Sequence, residues 1–101
     1  MCGFTGFIDK SDGRKRSDHH GIARMMMEPL AHRGPDYSHI WQDPEAPVSL
    51  AHQRLSILDL SDEGHQPMAS ASDRFMIAYN GEIYNYLQLK KDLEIVGVTF
   101  K

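Results

Sequence analysis

Cysteine is almost missing from this 101-residue chain, and Cys2 is the only one. A single thiol excludes an intrachain disulfide framework, and a reducing, cytoplasmic setting becomes the default expectation. Positive charge is also scarce. Eleven Lys and Arg face fourteen Asp and Glu, for a net charge of −3. No basic field is therefore available to attract nucleic acid or an anionic membrane surface. No apolar run is long enough to span a bilayer or to form the core of a signal peptide. Internal repeats and low-complexity tracts are absent as well. Six histidines are present, yet none stands in the His-x-x-x-His or Cys–His spacing of a zinc site. His19 and His20 are adjacent and cannot both turn toward one ion from a helix, while His32, His39, His52 and His65 are scattered. No metal site is expected. Asp36, Asp59 and Glu63 show no pairing that suggests a two-carboxylate mechanism.

What is present suits one small domain. The apolar fraction, 41%, is ordinary for a folded protein, and the length is near the point where a single core only just suffices. The stretch "GFTGFI" reads as a strand, being rich in aromatic and β-branched residues. A polar loop, "DKSDGRKRSD", follows. From Asp18 to about Ala31 the spacing predicts a helix with Ile22, Met25, Met26 and Leu30 on its buried face, Ser17 or Asp18 as N-cap, and Pro29 kinking or closing it. The three consecutive methionines read as core filler. After the loop "HRGPD", strands are expected at "YSHIWQ" and "VSLAHQRLSI". "DLSDEGHQPMASASD" reads as a long irregular connection, and "RFMIAY" as another strand. Tyr86, Leu89, Leu93 and Val96 recur at helical spacing, with Gly97 as the natural stop. "VTFK" reads as the start of a further strand.

Three features carry chemistry. Cys2 follows the initiator methionine directly. It is either a small apolar residue opening the first strand or, once Met1 is removed, a thiol beside a free α-amine. Arg54 lies within the apolar run "HQRLSILDL", so it is either the exposed end of an edge strand or a buried guanidinium with an assigned anion, whose planar fork matches a carboxylate. Asn80-Gly81 would ordinarily signal a hairpin turn. The helical period that follows favours a strand-to-helix junction, where an amide side chain and an unobstructed Gly81 N–H could serve an oxyanion.

The segments "MCG", "HRGPD", "RLSILDLSDEGHQPM" and "YNGEIYN", in this order and at these intervals, resemble the class II glutamine amidotransferase domain. The nearest likeness is the glutamine-hydrolysing asparagine synthetase type, an N-terminal-nucleophile hydrolase. The likeness runs over nearly the whole chain. It implies that Cys2 is the nucleophile and that its own α-amine is the base. An α-amine titrates near ~7.7–8.0 and a thiol near ~8.5, so proton transfer between them is almost balanced. It further implies an oxyanion hole from the Asn80 amide and the Gly81 N–H. Arg54 would hold the α-carboxylate of L-glutamine, Leu55, Ser56, Ile57 and Leu58 would line the pocket, and Glu82 would complete it. "HRGPD" would shape a loop near the nucleophile.

The fold implied is α+β, an αββα sandwich of two antiparallel sheets between helices. Residues 1–101 would form an incomplete, truncated N-terminal portion with antiparallel strands and two main helices, since the family domain is roughly twice this length. An aspartate for the substrate α-amine would come after Lys101. The ATP-dependent synthetase domain that receives the ammonia, with its ATP and magnesium, would also lie outside the chain. The glutaminase half itself needs no cofactor. A partial sandwich leaves strand edges and apolar sheet surface uncovered, and self-association, including strand exchange in a homodimer, is one way to cover them. Two other readings follow from the same residues: a non-catalytic glutamine-binding or interaction fragment, and an amidotransferase acting on another carboxylate or on a sugar or nucleotide precursor. The "RLSI" block speaks against the sugar and nucleotide types.

Overall fold

The computed structural model describes residues 2–11, 16–56 and 61–100. Three strands form one antiparallel sheet: β1 (Gly3–Ile8), β2 (Tyr37–Gln42) and β3 (Val48–Arg54), in the order β1-β3-β2. The expected "GFTGFI" and "YSHIWQ" strands are thus found to the residue. β3 lies in the middle, paired to β1 from Val48 to Gln53 and to β2 from Ser49 to Arg54. It stops at Arg54, short of Leu55 and Ser56 in the expected strand, with Gly3 and Tyr37 as the last paired residues of its neighbours.

A second, two-stranded sheet pairs β4 (Met68–Ala69) with β5 (Met76–Ile77). "RFMIAY" therefore contributes only two residues to a strand, and "PMAS", expected to be irregular, supplies the other. The turn is built locally: Ser70 N–H donates to the Phe75 carbonyl at 2.9 Å, and Phe75 N–H donates to Ser70 Oγ at 3.2 Å.

Helix α1 (Arg16–Met27) packs on one face of the three-stranded sheet. Its buried stripe is His19, Ala23 and Met27, spaced i, i+4, i+8 as one helical face requires. The expected stripe through Met25 and Met26 is corrected: Met25 is 71% exposed. Three successive residues sweep about 200° around a helix, so Met25–Met27 place one methionine on any chosen face. Packing selects Met27, which lies with Ala23 on the stripe that meets β3. His19 Nε2 meets Asp9 Oδ2 at 2.9 Å, and its ring stands edge-on to Phe7. The helix begins at Arg16, so the expected start at Ser17 or Asp18 falls inside it. Pro29 closes it as expected, opening a 3₁₀ turn over Glu28–Arg33.

Helix α2 (Tyr86–Ile95) ends as its sequence predicts. Gly97 has φ of 94°, Gly97 N–H donates to the Glu94 carbonyl, and Val98 N–H to that of Leu93. This is the paired bonding of a Schellman stop, in which a left-handed glycine satisfies the last carbonyls. Residues 98–100 form no strand, against the reading of "VTFK". None of the residues of α2 is buried.

Candidate active site

The site is assembled at the end of β3. Side chains of directly opposed strand residues share a face, so Phe7, Ser49, Ala51 and Gln53 face α1 while Phe4, Leu50, His52, Arg54 and Tyr37 face away. On this second face β3 carries His52 and Arg54. Arg54 is 6% exposed and His52 fully buried. The exposed edge-strand reading of Arg54 therefore fails: the residue ends the central strand, and its Nη1 donates to the Ser61 carbonyl at 2.6 Å.

One residue further, the chain meets Cys2. Leu55 N–H donates to Cys2 Sγ at 3.3 Å, and the thiol reaches back to the Leu55 carbonyl at 3.6 Å. The sulfur is thus held across 53 residues of sequence, at the point where β3 gives way to loop. An N–H aimed at sulfur sets positive potential beside it.

The "HRGPD" loop fixes this junction. Gly34 presses on the β3 backbone so closely that a Cβ there would lie 2.3 Å from the Gln53 carbonyl carbon. Asp36 N–H donates to the Arg54 carbonyl at 3.0 Å. The Asp36 carboxylate accepts from Ser56 N–H at 2.8 Å. Arg54, Leu55 and Ser56 are therefore oriented in succession by Ser61 and Asp36, by Cys2, and by Asp36. Beside them opens a cleft of about 700 Å³ lined by Asp36, Tyr37, Arg54, Ser56, Asp62 and His65. The rings of Tyr37 and His65 stack at 3.4 Å on one of its walls, with Asp62 Oδ1 3.5 Å from His65 Nε2.

Asn80 and Gly81 follow β5, in the second sheet. No hydrogen bond among the described residues joins Cys2 to Asn80, Gly81 or Glu82. The link is indirect: the Tyr79 carbonyl lies 3.2 Å from His52 Nε2, and His52 pairs across the sheet with Phe4, two residues beyond Cys2. Tyr79 N–H donates to Gln66 Oε1 at 2.6 Å. Burial lowers the His52 pKa below its ordinary value; the Tyr79 carbonyl opposes that shift, and nearby Arg54 adds to it. Glu82 is exposed. Ile57 and Leu58 lie outside the described residues.

The structure thus brings together Cys2, Arg54, Leu55 and Ser56, and ties the Asn80–Gly81 segment to the same sheet face. Sequence reasoning passed over His52, Asp36 and Gln66. For His52 a signal was present: in "VSLAHQR" alternation puts it on one face with Arg54.

A family model described as a glutamine amidotransferase domain matches residues 1–101. The chain is 37% identical over 100 residues to asparagine synthetase (glutamine-hydrolyzing) 1 of Bacillus subtilis, an alignment covering 99% of this chain and 15% of that protein. It is 37% identical over 103 residues to asparagine synthetase (glutamine-hydrolyzing) 3 of the same organism, covering all of this chain and 16% of that protein. Amidase chry2 of Gibberella zeae is 36% identical over 100 residues, covering 92% and 15% respectively. The chain therefore spans about one sixth or less of the length of these curated relatives. No solved structure matches it.

Proposed function

The chain belongs to the glutamine amidotransferase domain family, and on that premise we propose that it hydrolyses glutamine to glutamate and ammonia with Cys2 as the nucleophile. The observation that carries this reading is the seating of the Cys2 sulfur against Leu55 N–H, one residue from the buried Arg54. Removal of Met1 frees the Cys2 α-amine, which takes the thiol proton. The thiolate attacks the side-chain carboxamide carbon, and the C–N bond breaks as ammonia leaves with a proton. Water then hydrolyses the γ-glutamyl thioester, releasing glutamate and restoring the thiol.

Arg54 lines the cleft and is assigned the substrate α-carboxylate, with Leu55, Ser56, Ile57, Leu58 and Glu82 forming the pocket. Asn80 and Gly81 are assigned the oxyanion. In the Ntn-type αββα sandwich this reading invokes, the sheet face bearing His52 and Arg54 faces inward. The two asparagine synthetase relatives support a further assignment, in which the ammonia passes to a synthetase segment that forms asparagine. ATP and magnesium belong to that segment in this proposal. Among the described residues no three His, Cys, Asp or Glu side chains converge as a metal ion would require. No helix among them is long and apolar enough to cross a membrane.

The test is Cys2→Ala in the intact protein. It is expected to abolish glutamine hydrolysis and acid-trapped thioester while leaving synthesis from free ammonia intact. Undiminished hydrolysis by the variant would overturn the assignment.

A further inference from the structure

We propose that His52 is a positioning residue for the oxyanion donors, holding the Tyr79–Asn80 peptide so that the Asn80 amide and Gly81 N–H are correctly aimed. The inference rests on the reading of Asn80 and Gly81 as those donors.

The geometry begins with β3. His52 is fully buried on the face that also carries Arg54, and its Nε2 lies 3.2 Å from the Tyr79 carbonyl oxygen. A carbonyl only accepts, so the shared proton sits on Nε2 and the neutral ring keeps its lone pair on Nδ1. Nδ1 has no hydrogen-bond partner and is shut away from solvent. A buried ring with one unmet nitrogen is a cost the fold carries, and what it secures here is a single backbone carbonyl.

That carbonyl is an effective point of control. The Tyr79 C=O and the Asn80 N–H belong to one rigid peptide plane. Fixing the oxygen orients the plane from which the Asn80 side chain and then the Gly81 amide project. The other side of Tyr79 is fixed too, by donation of its N–H to Gln66 Oε1 at 2.6 Å. The residue before the donors is therefore clamped at both backbone groups. β3 and the residue after it in this way set three parts of the centre within four residues: His52 for the donor segment, Arg54 for the cation, and Leu55 for the sulfur. Because strand register is rigid, the relative placement of these parts follows from one element.

The experiment compares His52→Leu and His52→Gln in the intact protein, alone and combined with Asn80→Ala. Leu fills the volume without a donor, whereas the Gln amide can reach the position of Nε2–H. His52→Leu is expected to lower kcat for glutamine hydrolysis by about 10–100-fold with KM within about threefold of the parent. His52→Gln is expected to recover most of the loss. Adding His52→Leu to Asn80→Ala is expected to cost less than about threefold beyond Asn80→Ala alone, because the donor that His52 positions is already gone. Alkylation of Cys2 by iodoacetamide, which needs no oxyanion donor, is expected to proceed at the parent rate in both variants.

An unchanged kcat in His52→Leu, losses that multiply fully in the double variant, or slowed alkylation would each overturn the proposal. If Asn80→Ala alone leaves hydrolysis intact, the oxyanion assignment itself falls, and this inference with it. Should His52→Leu fail to fold, imidazole ¹⁵N spectra of the unmodified protein decide. A proton on Nε2 at neutral pH supports the arrangement, and a proton on Nδ1 overturns it.

Discussion

Arg54 Nη1 donates to the Ser61 carbonyl at 2.6 Å while its own carbonyl accepts from Asp36 N–H at 3.0 Å. Side chain and backbone of this residue are thus both fixed before any substrate arrives, which lowers the entropy lost on binding. A guanidinium also offers a planar fork that an ammonium cannot reproduce. Arg54→Lys is therefore expected to raise KM for glutamine by roughly tenfold with a much smaller change in kcat, the pattern of lost ground-state and transition-state binding alike. Steady-state kinetics across glutamine concentration checks this, and an unaltered KM removes Arg54 from carboxylate recognition. The sequence alone left Arg54 open between an exposed edge and a buried cation. Strand order closed the question: Arg54 ends the central strand, paired to Tyr37 of β2, and is 6% exposed.

Among the elements, β3 and the loop pressed on it do most to build the centre. Sequence alternation identifies β3 as a strand, and its unusual density of polar residues shows only once the paired strands are known. Ser49, His52, Gln53 and Arg54 are all buried, in a strand flanked by paired strands on both sides. The "HRGPD" loop reaches β3 because Gly34 lacks a side chain: a Cβ would lie 2.3 Å from the Gln53 carbonyl carbon and 2.6 Å from the Arg54 nitrogen. Backbone cannot yield as a flexible side chain does. Gly34→Ala is expected to destabilise the fold by about 1–3 kcal/mol, read as a lower urea midpoint, and to loosen the Asp36 bonds to Arg54 and Ser56. A midpoint equal to that of the parent would show that the loop can stand off from the strand.

At the scale of the whole molecule, the catalytic assignments join two sheets that share no ladder. The radius of gyration is 15.5 Å, against about 13 Å for a compact domain of similar length. The excess reflects α2 and the β4–β5 hairpin, which bury little against the three-stranded sheet. Phe4, Phe75, Leu89 and Leu93 remain exposed. The tie between the halves that bears on the site is the Tyr79 carbonyl on His52. In the intact protein Asn80→Ala is expected to reduce kcat for glutamine hydrolysis by about 10²–10³, the cost of one lost oxyanion donor, with synthesis from free ammonia nearly unchanged. Parallel glutamine-dependent and ammonia-dependent assays distinguish this from a general loss of fold, which would depress both.

Several features were legible without coordinates because they depend on local chemistry. The β1 and β2 strands follow from apolar and aromatic content over six residues. The end of α1 follows from Pro29, which cannot continue an α-helix, and the end of α2 from Gly97, which alone tolerates the left-handed turn without strain. The clustered motifs around Cys2, Arg54 and Asn80 identified the family by their order and spacing. Tertiary structure decided what no local pattern contains. It turned α1 onto His19, Ala23 and Met27, the stripe that meets the sheet. It cut "RFMIAY" to two paired residues, because strands extend only as far as their partners. It also set His52 beneath the Tyr79 carbonyl, a contact between residues 27 apart in sequence that arises only when β3 is central and the segment after β5 reaches its second face.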